Sequence, residues 1–167
     1  MRILVAGVGN VLRCDDAFGV EVARRLAIRE LPEGVRVVET GIGGMALVSE
    51  IQEGWDALIV IDAMGRDKAP GTILVIEPTI DDVDQLSWSE RHDFLSDMHL
   101  ATPERALMLA RALRVLPPTV LMVGCQPVDA DSYGQSMSEP VAAAVDVAVG
   151  VVLEQLAALG ALHPMTT

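Results

Sequence analysis

The sequence predicts an α/β protein built as a three-layer sandwich, with helices packed around a largely parallel sheet. Two observations carry this. Strand-like runs alternate with segments of helical period along the chain. The first and third runs, Arg2–Val8 and Ala57–Ile61, are apolar without alternation, as strands covered on both faces are.

The first run ends in Gly7-Val8-Gly9-Asn10. The next helix, Asp16–Arg29, places Val20, Val22, Ala23, Leu26 and Ala27 at helical spacing, with Asp15 or Asp16 as its cap. Pro32-Glu33-Gly34 turns the chain into a second strand, Val35–Glu39. The loop Gly41-Ile42-Gly43-Gly44 leads to a short helix, Met45–Gln52. The third strand ends at Asp62, and Pro70-Gly71 leads into a fourth, Thr72–Glu77. Residues 78–100 have no clear period, and a stretch of that length is often functional. Thr102 caps a helix that opens with Pro103 and runs to Arg114, where Pro117-Pro118 stops it. The fifth strand, Thr119–Val123, ends in Gly124-Cys125. Ser138 caps the last helix, which has Pro140 in its first turn and ends at Gly160.

The 167 residues suit one domain spanning 1–167. Hydrophobic residues are 51% and mean hydropathy is +0.39, which supplies a core and excludes disorder. Aromatics are only 3%, so Val, Leu, Ala, Ile and Met must build that core, and stacking platforms for single-stranded nucleic acid are excluded. A net charge of -12 excludes the electrostatic footprint of a DNA or RNA binder and repels anionic membranes. It suits a basic peptide or a metal-bearing partner. Two cysteines, Cys14 and Cys125, are too few for a disulfide scaffold or a Cys-rich zinc site. The apolar start is too short for a signal sequence. Asp146, Glu154 and Gln155 break the apolar C-terminal stretch into runs too short for a membrane span of ~20 residues. The expectation is a soluble cytoplasmic protein.

In open α/β sheets ligands gather beyond the carboxyl ends of the strands. Those positions here are Gly7, Gly9, Asn10 and Asp15/Asp16, then Gly41, Gly43 and Gly44, then Asp62, then Cys125 and Gln126. His99, just before a helix, falls on the same rim, and His92 lies seven residues earlier. An Asp, Asp, His set is a mixed O/O/N donor set that suits a borderline divalent ion with open positions. Each residue also has a plainer reading. Asp15 and Asp16 are good helix caps, Asp62 can form an Asx-turn into Ala63-Met64-Gly65, and a lone His or Cys is more often surface or packing. Gly7-x-Gly9 opens like a dinucleotide fingerprint, and Glu39 stands where a ribose-binding acid would. The third glycine is replaced by Leu12, and a carboxylate pair there would repel a pyrophosphate.

Gly7-Val8-Gly9-Asn10-Val11-Leu12-Arg13-Cys14-Asp15-Asp16-Ala17-Phe18-Gly19 resembles the amino-terminal signature of the hydrogenase maturation endopeptidases. The likeness continues through Gly41-Ile42-Gly43-Gly44, Val60-Ile61-Asp62-Ala63-Met64 and Pro70-Gly71-Thr72. It resumes at Asp97-Met98-His99, the Pro103–Leu113 helix and Val123-Gly124-Cys125-Gln126-Pro127. It covers roughly residues 1 to 160 in the family's order. The first motif is long and specific; the later ones gain weight from their order. Ala17 departs from the glycine of many members, and alanine suits a helical first turn.

The resemblance implies a five-stranded mixed sheet with one antiparallel strand, which patterning alone does not reveal. It implies an endopeptidase that trims the C-terminus of the large subunit of a nickel–iron hydrogenase, cleaving precursors whose nickel is already inserted. The family's metal-binding residues map onto Asp16, Asp62 and His99. On that likeness the nickel is carried by the substrate and other divalent ions such as cadmium can occupy the site; a monomer engaging a larger precursor is the expectation, with the oligomeric state open. Either the metal polarises the scissile carbonyl or acidifies a water, or Asp16 or Asp62 serves as general base. Gly41, Gly43 and Gly44 would let a peptide approach the backbone or let the loop move. The rival expectations are a non-catalytic nickel-checking module or chaperone on the same fold, and a nucleotide-binding enzyme.

Overall fold

The computed structural model describes residues 1–96, 102–134 and 136–160. Five strands form one sheet in the order β2-β1-β3-β5-β4, where β1 is Ile3–Val8, β2 Val35–Gly41, β3 Ala57–Ala63, β4 Ile73–Ile76 and β5 Thr119–Cys125. β1 pairs in parallel with β2 and β3, and β3 with β5. β4 runs antiparallel on the edge, beside β5. The five-stranded mixed sheet and its single reversed strand follow the resemblance.

Side chains alternate across the sheet, so each strand feeds two cores. Ile3, Val5, Ile59, Ile61 and Val123 meet α1 (Phe18–Ala27) and α5 (Glu139–Ala158) on one face. Leu4, Ala6, Leu58, Val60 and Met122 meet α2 (Gly44–Ile51) and α4 (Pro103–Ala112) on the other. This is a three-layer α/β/α sandwich. By length and composition α5 is apolar enough to cross a membrane. Its buried stripe, from Val141 and Val145 through Val149 and Val152 to Leu156, packs on the sheet instead.

Gly19 sets how closely α1 lies on the sheet. A Cβ there would collide with the backbone carbonyl oxygens of Val8 and Ile61, at the ends of β1 and β3. Gly19→Ala is therefore expected to destabilise the fold by about 3 kcal/mol, the upper end of overpacking, because backbone cannot repack as side chains do. Urea denaturation of both proteins checks this. A loss within experimental error would mean that α1 can lift freely.

Three local readings need correction. Neither Asp15 nor Asp16 caps α1; both lie in a 3-10 turn, Cys14–Ala17, and Ala17 stands at the helix start with ordinary helical φ. Thr102 does cap α4, accepting the Arg105 N–H, but the Ser138 hydroxyl does not cap α5. It donates to Asp15 at 2.9 Å. Residues 78–100 also contain a 3-10 turn, Val83–Gln85, and a helix, α3 (Trp88–Ser96). Ser87 and Glu90 close a capping box at its start: Glu90 accepts from the Ser87 N–H at 2.7 Å and Ser87 Oγ accepts from the Glu90 N–H. Trp88, Ser89, Glu90, His92 and Asp93 are all exposed, so this described part of α3 carries no buried apolar stripe from which a period is read.

Candidate active site at the sheet switch point

The strand order reverses between β1 and β3, because the chain goes from β1 outward to β2 and then back across to β3. A crevice opens past the carboxyl ends of strands at such a point. Here its volume is about 520 Å³, within the range of roughly 300–1,000 Å³ typical of ligand sites. Asp16 and Asp62 both line it.

Asp62 arrives at the end of the buried run of β3, so its backbone is fixed by pairing with β5 through Gly124. Its Oδ1 accepts the Ala63 N–H at 2.9 Å, the local turn contact expected of an aspartate there. Burial, then the neighbouring charge of Asp16, holds the Asp62 carboxyl well above the ordinary carboxylate range, and Glu104 adds to this. Asp16 Oδ2 accepts the Asn10 N–H at 2.9 Å. Burial raises the Asp16 carboxyl too, although the Asn10 N–H and the Arg13 charge pull it down. Two carboxylates thus share one crevice with too few donors between them. A cation or a shared proton would relieve their repulsion.

Gly9 makes this approach possible. Its φ is +137°, and a Cβ would collide with the Asp16 carbonyl oxygen. The nucleotide reading fails for related reasons. Asp16 already takes the Asn10 N–H that a phosphate would use, and Glu39 is paired with Arg24 at 3.0 Å.

Asp15 does something different. It is fully buried, and it accepts the backbone N–H groups of Val128, Asp129 and Ser138 and the Ser138 hydroxyl at 2.6–3.0 Å. Burial alone would raise its carboxyl; these donors outweigh burial and hold it below the usual range. Adjacent acids in one motif thus divide the work, Asp15 holding the loop 128–138 and Asp16 facing the crevice.

The other rim residues are also placed. Ile42, from the glycine loop, lines the crevice, and Gly41 takes a left-handed φ of +57°. Gln126 Oε1 accepts the N–H groups of Arg66 and Lys68, fixing the loop that carries Gly65 and Arg66 along the crevice. Cys14 and Cys125 are both free thiols. Burial, with the Asp15 charge beside it, pushes the Cys125 thiol up to about 11, which leaves it inert as a nucleophile. His92 lies on α3 with its ring stacked on Trp88, and is not among the crevice lining. His99 lies outside the described residues. Among the described residues no three His, Cys, Asp or Glu side chains form a group that could hold a metal ion, and Asp16 and Asp62 are the two predicted site residues that line the crevice together.

Glu104, Arg13 and Arg66 complete the lining as charged residues that residue patterning did not single out. Glu104 stands in the first turn of α4, where an acid ordinarily complements the helix dipole. The available signal was that α4 opens on the same rim as the strand ends.

A family model described as hydrogenase maturation protease matches residues 20–155. The chain belongs to this family. Its members are peptidases, and the α/β sheet described above is the family's fold. The chain is 35% identical over 162 residues to the hydrogenase expression/formation protein HupM of Azotobacter chroococcum, covering 96% of this chain and 74% of that protein. Among solved structures it resembles the hydrogenase maturating endopeptidase HybD from E. coli, with a TM-score of 0.73 and 28% identity over 96% of this chain and 94% of the other. It also resembles the hydrogenase 2 maturation peptidase of a Thaumarchaeota archaeon, with a TM-score of 0.67 and 31% identity over 94% and 99% of the two chains. The family model starts at residue 20, after the motif that holds Asp15 and Asp16. The relatives cover nearly the whole chain, so the family assignment does not depend on that motif alone.

Proposed function

We propose that this protease removes a C-terminal extension from the nickel-loaded precursor of a nickel–iron hydrogenase large subunit. Asp16, Asp62 and His99 would engage the nickel carried by that substrate. The observation that carries this reading is the pair Asp16 and Asp62, which line one switch-point crevice closely enough for the charge of Asp16 to raise the Asp62 carboxyl. A divalent ion held by the precursor relieves their repulsion, so a precursor lacking nickel meets an uncompensated acidic site. Specificity for the finished metal centre then follows from charge alone.

For hydrolysis, one carboxylate takes a proton from a water while the water's oxygen forms the new C–O bond. The amide C–N bond breaks, and that proton passes to the leaving amine nitrogen. The nickel, as part of the substrate, polarises the carbonyl next to it. Asp62 suits the proton-transfer role, because its carboxyl sits closer to neutrality than an ordinary aspartate. The acidic character of the whole chain favours a partner with a cationic or metal-bearing junction.

The test is intact-mass analysis of the cognate precursor, with and without nickel, after incubation with the protein. Loss of a C-terminal peptide from the nickel-loaded form alone is the expected result. Binding without cleavage would replace this reading with that of a nickel-checking module. Equal cleavage of both forms would remove the nickel-sensing role from the two aspartates.

A further inference from the structure

A second, smaller cavity of about 120 Å³ lies between α4 and the segment 78–81, and it shares Glu104 with the main crevice. We infer that it is a specificity subsite for one aliphatic side chain of the substrate polypeptide, close to the scissile bond. This rests on the protease reading above and deepens it.

The geometry of α4 sets the two sites in series. Glu104, Leu107 and Met108 are three and four residues apart, so they share one helix face. Glu104 forms the wall between the crevice and the cavity, and Leu107 and Met108 form its apolar side. Leu107 is fully buried in the core, so this floor is anchored. Pro78 and Ile80 form the opposite wall. That wall is tied in place: the Arg111 guanidinium donates to the Ile80 carbonyl and pairs with Asp82 at 3.5 Å. The cavity is therefore built from fixed elements and does not depend on closure.

Its size and chemistry select the occupant. At about 120 Å³ it is well below the roughly 300 Å³ at which small-molecule sites begin, so it admits a side chain and not a cofactor. Its sides are Pro78, Ile80, Leu107 and Met108, with the exposed Thr79, Asp81 and Glu104 at the lip, so a charged side chain would lose its hydration there. Helix spacing suggests the register. One helical turn is about 5.4 Å and an extended chain advances about 3.3 Å per residue. Since side chains of an extended peptide alternate, a residue two positions from the one held at the crevice points to the same side and reaches the cavity.

The experiment uses the full-length protein and nickel-loaded precursors in which each of the residues flanking the scissile bond is changed in turn. At one position, an aliphatic residue changed to alanine is expected to lower kcat/KM by about 10-fold or more, and to aspartate by more still. Met108→Phe, which fills the cavity, should reduce cleavage of the natural precursor and favour the alanine precursor at that position. Met108→Ala should shift preference toward a larger side chain. If both variants melt like the wild type and cleave all precursors in the wild-type order, the subsite does not exist. If the wild type leaves every nickel-loaded precursor intact, the protease reading fails first and the subsite falls with it.

Discussion

Asp15→Ala is expected to destabilise the protein by at least about 3 kcal/mol, a large share of the roughly 5–15 kcal/mol that holds a domain together. The carboxylate is fully buried and satisfies three backbone N–H groups and one hydroxyl, all from residues 128–138. Alanine leaves those donors unpaired around a cavity, and each buried orphan carries its own desolvation penalty. Asp15→Asn should fall between. One amide oxygen can still accept from the Oδ2 side, but the amide nitrogen then faces the Ser138 N–H as donor against donor. The pH dependence has a definite sign. The folded carboxyl is held below its unfolded value of about 3.9, so its stabilisation is present above that value and lost as pH falls through the folded one. Urea denaturation from pH 7 downward should show the wild type converging on Asp15→Ala in acid. A constant gap between them at every pH would mean that Asp15 acts by shape and not by charge.

The division between Asp15 and Asp16 also shows what local sequence can carry. The two are neighbours in one motif, and the sequence offers both as caps. What separates them is a loop more than 110 residues later, whose N–H groups converge on Asp15. No local period contains that contact. The same contact explains Ser138, whose hydroxyl is drawn from its cap role by Asp15. Asp62 was legible, because an acid ending an otherwise apolar run must sit where a buried strand emerges. The direction of β4 was not, because Ile73–Ile76 reads the same in either direction and pairing alone decides it. The helix α3 was not read from the sequence, since most of its described side chains face solvent and its one local signal is the Ser87 and Glu90 capping pair. Glu104 was not legible, because a first-turn acid is ordinary chemistry at a helix start and only the fold turns that helix toward the crevice.

Asp62→Asn is expected to move activity and stability in opposite directions. Processing of the nickel-loaded precursor should fall by about 10²- to 10⁴-fold, the range for loss of a general acid–base group. Asparagine keeps an oxygen for the Ala63 N–H but can neither take a proton at neutral pH nor offset the charge of a cation. The metal-free protein should nevertheless become more stable. Burial, with Asp16 and Glu104 nearby, holds the folded Asp62 carboxyl well above its unfolded value of about 3.9. Its contribution is therefore fully present below that value and lost as pH rises through the folded one. Thermal melts without metal should show the advantage of Asp62→Asn growing from about pH 4 upward, then levelling once the wild-type carboxyl is ionised. Asp15 and Asp62 then stand as opposites: removing the first weakens the fold most above acid pH, and removing the second strengthens it there. Asp15 is surrounded by donors, whereas Asp62 accepts from the Ala63 N–H, and on the proposed function a substrate supplies the missing charge. Wild-type processing by Asp62→Asn, or a loss of stability at neutral pH, would place Asp62 with the structural acids instead.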